Sequence, residues 1–182
     1  MGTVALALLL AGCGSAGALH ADDIHRVGVS GPVKLDQRMS WGEVMLYNRW
    51  FAPVRLVAIR FSHLPAGVEA LGARAVDGTH GFGTIAIETF PPGVGSDHVH
   101  AVDGYEIWPT RNRRGQNARD AGQGFYIGFR VTRPGRYDLQ GADVAYEQDG
   151  EIKTLHADIG MVVCAGPRGK PDPECDLEPS DP

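Results

Sequence analysis

Apolar and polar residues alternate with period two along much of the chain. The clearest run is Phe125 to Val131: Phe125, Ile127, Phe129 and Val131 fall on one face, and Tyr126, Gly128, Arg130 and Thr132 on the other. Such alternation marks a strand with one face in a core. Val54 to Phe61 repeats the pattern, which predicts Val57, Ile59 and Phe61 inward. Glu43 to Tyr47, Val68 to Val76 and Thr84 to Thr89 read as further strands, the last with Ile85 and Ile87 inward. An edge strand is expected around Val27 and Val29. Late in the chain, Arg133-Pro134-Gly135-Arg136 turns into a strand carrying Tyr137 and Leu139. Gly141 interrupts that strand, and Val144 and Tyr146 continue it. Asp149-Gly150 is a two-residue hairpin signal. The strand after it runs to Cys164, with Leu155, Ile159, Met161 and Val163 in phase. Phe129 and Tyr137 are expected as core residues of adjacent late strands.

Short strands separated by turns every 8–12 residues predict an all-β fold, a sandwich of about 7–9 short antiparallel strands. The 25 glycines and 12 prolines, many in turn-like clusters, agree with this. Pro134-Gly135-Arg136-Tyr137 resembles the corner of immunoglobulin-like and fibronectin-type domains, where a tyrosine near the start of a late strand bonds back to the turn. The Cys…Trp…Cys pattern of antibody domains is absent. The resemblance implies an immunoglobulin-like β-sandwich over residues 40–164.

The start of the chain has a different character. Val4 to Ala11 is apolar but too short to span a bilayer, which takes about 20 residues. It closes on Leu10-Ala11-Gly12-Cys13, which resembles the lipobox of bacterial lipoproteins. That resemblance implies a signal peptide over residues 1–12, lipidation at Cys13 and a place on the extracytoplasmic face of a bacterial membrane. Gly14 to Gly17 is small and flexible. Residues 13–39 are thus expected as a lipidated tether and approach segment. Met1-Gly2-Thr3 carries no lysine or arginine, which departs from the usual basic start of a signal.

With Cys13 lipidated, Cys164 and Cys175 remain as a pair. In an oxidising compartment they are expected to form a disulfide, since residues 165–174 between them offer no large apolar anchor. Closing such a loop contributes on the order of 3 kcal/mol. A metal site on the two thiols is the weaker alternative. Residues 165–182 read as a disulfide-tied loop and polar tail.

Net charge is -5, from 17 Lys and Arg against 22 Asp and Glu, which argues against a nucleic-acid binder. No nucleophile elbow, phosphate loop or His-Glu-x-x-His stands out, so no enzyme and no cofactor is expected. Residues 91–124 are the least strand-like block and carry Tyr105, Trp108, Arg111, Arg113, Arg114 and Arg119. Aromatic and arginine side chains anchor binding surfaces. Trp108, Arg111, Arg113 and Arg114 are therefore the candidate surface for an envelope protein, a glycan or an anionic lipid. The expected function is a non-enzymatic interaction module of the cell envelope. The alternative is an extracytoplasmic copper or zinc carrier using His98 and His100, flanked by Asp97 and Asp103, with His63, His80 or His156 as a third ligand.

Overall fold

The computed structural model describes residues 17–21, 27–28, 33–76, 86–87, 89–92, 98–110 and 122–166. The described residues form eleven strands: β1 (Leu19–Ala21), β2 (Val27–Gly28), β3 (Met39–Asn48), β4 (Val54–His63), β5 (Val68–Val76), β6 (Ala86–Ile87), β7 (Val99–Ala101), β8 (Glu106–Ile107), β9 (Gln123–Val131), β10 (Gly135–Gln148) and β11 (Glu151–Ala165). One sheet has the order β1-β3-β9-β5-β7, with β6 also on β3; the other runs β2-β11-β10-β4-β8. The expected count of seven to nine falls between the six long strands and all eleven. The difference is made by β1, β2, β6, β7 and β8, each of two or three residues. Too short for alternation to show, they form because long neighbours offer open edges.

The order of the long strands defines the architecture. β1-β3-β9-β5 and β11-β10-β4 reproduce the ABED and GFC sheets of an immunoglobulin-like sandwich. Pairing between strands is antiparallel except for β2, which joins β11 in parallel. The start of the chain thus contributes to both sheets, β1 to the first and β2 to the second. The sheets begin before residue 40, inside the stretch read from sequence as tether and approach.

The tyrosine corner is present. Tyr137 stands near the start of β10, and its hydroxyl donates to the Arg133 carbonyl at 2.8 Å. Phe129 and Tyr137 are both buried, but they are not on neighbouring strands. β9 and β10 lie in different sheets, so a short turn carries the chain across the sandwich rather than along one sheet.

Aromatic side chains join the layers. Trp41 of β3 stacks on Phe61 of β4 with centroids 5.9 Å apart, and Phe61 meets Phe129 edge-on at 6.3 Å. Such pairs add about 0.5–1.5 kcal/mol beyond the area they bury. The expected inward phase of β4 holds at Ile59 and Phe61 but not at its start, where Val54 and Leu56 are buried. The register explains it. Ala145 pairs with Ala58 and Tyr146 with Leu56, so Val57 is the extra residue of a bulge and the inward phase changes there.

β9 is buried on both faces. Its outer face is roofed by Phe90, whose ring lies over Gly128 where a Cβ would collide. Ser40, itself buried, donates its hydroxyl to the Thr89 carbonyl and pins the roof to β3. The β10–β11 hairpin turns through Asp149 and Gly150, both at positive φ as a type I′ turn requires.

Candidate interaction surface

The β3–β4 turn and the end of β8 are tied to one residue. Asn48 closes β3 and is fully buried. Its Nδ2 donates to the Ala52 carbonyl and to the Ile107 carbonyl, each at 2.8 Å. Its Oδ1 accepts from the Trp50 backbone N–H at 2.8 Å, the local turn that asparagine favours. Thr110 Oγ1 donates to the Asn48 carbonyl at 2.9 Å, and Asn48 bridges to Pro109. One amide therefore holds two loops, 49–53 and 108–110, side by side.

These loops carry exposed aromatic rings. Phe51 is 77% exposed and Trp108 is 62% exposed. Trp50, half-buried, packs against Phe51 with centroids 4.6 Å apart. The third large exposed apolar residue among those described is Ile152, at 63%. Ile152 pairs with Glu147, which pairs with Arg55, which pairs with Glu106. Cross-strand partners share a face, so Ile152 stands on the outer face of the second sheet. It lies one pair inside the same end, in a row where Arg55 and Glu147 form an exposed ion pair at 3.3 Å.

The chain enters the sandwich at this end. Leu19 pairs with Asn48, and the Arg49 N–H donates to the Ala18 carbonyl at 2.9 Å. The Ala18 N–H donates to Oε1 of Gln148, at the mouth of the β10–β11 hairpin, at 3.0 Å. Entry point, aromatic loops and hairpin thus share one end.

Of the residues singled out from sequence, Trp108 lies on this surface. Arg111, Arg113, Arg114 and Arg119 lie outside the described residues, as do Cys13, Cys175, Asp97 and His80. The block 91–124 is less free of strands than its composition suggests. β7 pairs with β5 and β8 with β4, while Ile107 is fully buried and Val102 nearly so. The described part of the segment is stitched to both sheets, and Val102 and Ile107 serve the core while Trp108 stays exposed.

His98 and His100 are not a pair on one strand. His98 stands in the turn before β7, and the ring of His100 stacks on Tyr105 at 5.5 Å. Among the described residues, no group of three or more His, Cys, Asp or Glu is placed to hold a metal. His156, a suggested third ligand, is engaged elsewhere.

Its partners form a cluster that sequence reading missed, on the outer face of the second sheet. Ser62 Oγ donates to Asp143 Oδ1 at 2.7 Å, His156 Nδ1 lies 2.8 Å from that oxygen, and Ser62 Oγ lies 3.1 Å from the same Nδ1. The residue types are those of a hydrolase triad, but the geometry is not. A relay runs serine to one ring nitrogen and aspartate to the other; here both meet Nδ1, and Ser62 bonds the aspartate directly. The His156 hydrogen bond, then that of Ser62, holds the Asp143 carboxyl below the usual range. All three side chains are exposed, in an arrangement that ties β4, β10 and β11.

No protein-family model matches the chain, and no curated protein does. Among solved structures it is similar to one described as "Structure of Vibrio cholerae VesB protease". The TM-score is 0.36 and the identity 12%, over 80% of this chain and 32% of that one. The chain thus spans about a third of the length of that chain. The class defined by strand order and tyrosine corner is an immunoglobulin-like β-sandwich. No helix among the described residues is long and apolar enough to cross a membrane.

Proposed function

We propose that this chain is a membrane-anchored lipoprotein on the extracytoplasmic face of a bacterial membrane, and that its sandwich domain is a non-enzymatic interaction module. The observation that carries the reading is the gathering, at one end of the sandwich, of the large exposed apolar residues found among those described. Single exposed apolar residues need no explanation, but a cluster on loops fixed by a buried asparagine is a surface built to meet something. Trp108 belongs to it, and Arg111, Arg113 and Arg114 follow closely in sequence. Arginine holds phosphate and carboxylate with paired hydrogen bonds, so an anionic partner fits.

Lipidation at Cys13 supplies the address, and a Cys164–Cys175 disulfide fits the oxidising compartment. In support, Cys164 is buried near the end of β11. Membrane fractionation tests the reading. The parent stays with membranes through a high-salt wash, and Cys13→Ala appears in the soluble fraction. Peptide mass spectrometry without reductant finds acylated Cys13 and a linked Cys164–Cys175 pair. Retention of the Cys13→Ala protein on washed membranes would overturn the anchor.

A further inference from the structure

We propose that the end of the sandwich carrying Trp50, Phe51 and Trp108 rests on the bilayer that holds the anchor, so that the domain stands on the membrane with a fixed face toward it. The inference rests on the lipidation of Cys13 proposed above and goes beyond it to an orientation. The first argument is reach. The backbone is held from Ala18 onward by Gln148 and Arg49. From Cys13 to Ala18 the chain takes five residue steps, which span at most about 18 Å when fully extended. The headgroup layer on one side of a bilayer is about 5–8 Å thick. A lipid on Cys13 therefore keeps the entry end within a short distance of the headgroups, leaving no slack for the opposite end to turn toward them.

The second argument is chemistry. Phe51 and Trp108 project from the two loops beside that entry point, and Ile152 stands one strand pair away. Tryptophan is a side chain of the bilayer interface, where an apolar ring with a polar edge meets a wet layer, and phenylalanine serves on the apolar face of membrane-surface segments. The exposed Arg49, next to Trp50 in the turn, adds a cation suited to anionic headgroups. Stable attachment takes two membrane signals, and this surface would act alongside the acyl chains.

The third argument is rigidity. Asn48 bonds both loops from below, so the rings are held before any membrane arrives and little order has to be imposed on contact.

Tryptophan fluorescence of the lipidated full chain tests the orientation. The protein is reconstituted in vesicles of phosphatidylethanolamine and phosphatidylglycerol, with and without nitroxide-labelled lipid. Trp41 is buried in the core and reports little. The parent is expected to lose emission in labelled vesicles; the loss is smaller in Trp108→Phe, where Trp50 remains, and nearly gone in the double variant Trp50→Phe/Trp108→Phe, and both variants remain attached. Cys13→Ala shows neither attachment nor loss. Attached parent protein with undiminished emission would overturn the orientation and leave the anchor standing, since another protein or a second copy would then cover the rings. Wild-type protein that fails to acquire lipid or attach would overturn the anchor and the orientation together.

Discussion

The two ends of this sandwich are closed in opposite ways. At the end where β9 passes to β10, backbone groups are satisfied inward. The Thr132 N–H donates to the Gly67 carbonyl at 2.8 Å, and the Asp36 N–H to the Val131 carbonyl at 2.8 Å. Tyr137 seals the corner from within, so close to Gly67 that a Cβ there would strike its hydroxyl. No large apolar residue is exposed at that end among the described residues. At the entry end the interior is sealed as well, by Asn48, yet the loops it holds turn aromatic rings outward. One end spends its special residues on closure alone. The other combines closure with display, the division expected when loops carry function on a rigid scaffold.

The largest effect expected from breaking this contrast is at Asn48. Asn48→Ala removes two buried donors and an acceptor, leaving the Ala52 and Ile107 carbonyls and the Trp50 N–H to find new partners. Unsatisfied buried groups cost about 1–3 kcal/mol each, with partial relief from water, so a loss of about 3 kcal/mol is expected. Urea unfolding followed by fluorescence measures it. A variant with the parent's midpoint would show that strand pairing alone positions the loops, and the entry end would lose its special status.

Tyr137→Phe makes the matching cut at the other end. It deletes one hydroxyl whose acceptor, the Arg133 carbonyl, lies in a surface turn that water can reach. The expected loss is about 1 kcal/mol, the net worth of an ordinary hydrogen bond. Hydrogen exchange sharpens the comparison. Faster exchange should be confined to the corner, around Thr132 and Tyr137, with Arg49 and Trp50 unchanged. Acceleration at both ends would mean that the sandwich opens as one unit and that the contrast is only one of surface.

How much of this was legible in the sequence follows from how local each signal is. β5, β9 and the β10–β11 hairpin were readable because alternation, Asp149-Gly150 and the corner around Tyr137 act over a few residues. The inward phase of β4 was misread at Val57 because the bulge depends on the register against Tyr146, which the β4 residues do not encode. β7 and β8 were hidden because their pairing is supplied by the distant edges of β5 and β4. Trp108 could be singled out by residue type, but not Asn48. An asparagine before a turn looks ordinary, and its decisive partner, the Ile107 carbonyl, is 59 residues away. Ser62 and His156 are 94 residues apart, and only the sheet joins them.

That last cluster gives the smallest effect and sits on neither end, which makes it a control for both. Asp143 has a folded pKa below its ordinary value, first through the His156 hydrogen bond and then through that of Ser62. A depressed carboxylate pKa means that the native state binds the proton less readily than the unfolded chain does. Its contribution is therefore present above the unfolded value, about 3.9, and is lost as pH falls through the folded value. Exposure on the sheet face screens it, so less than about 0.5 kcal/mol is expected. Asp143→Asn should thus lower the melting temperature slightly near neutral pH, and parent and variant should converge once the parent's Asp143 is protonated. Thermal melts across that range check both the sign and the size. A gap of several kcal/mol at neutral pH would mean that the Ser62–Asp143–His156 cluster carries the second sheet, and that stability is held in the middle of the sandwich rather than at its ends.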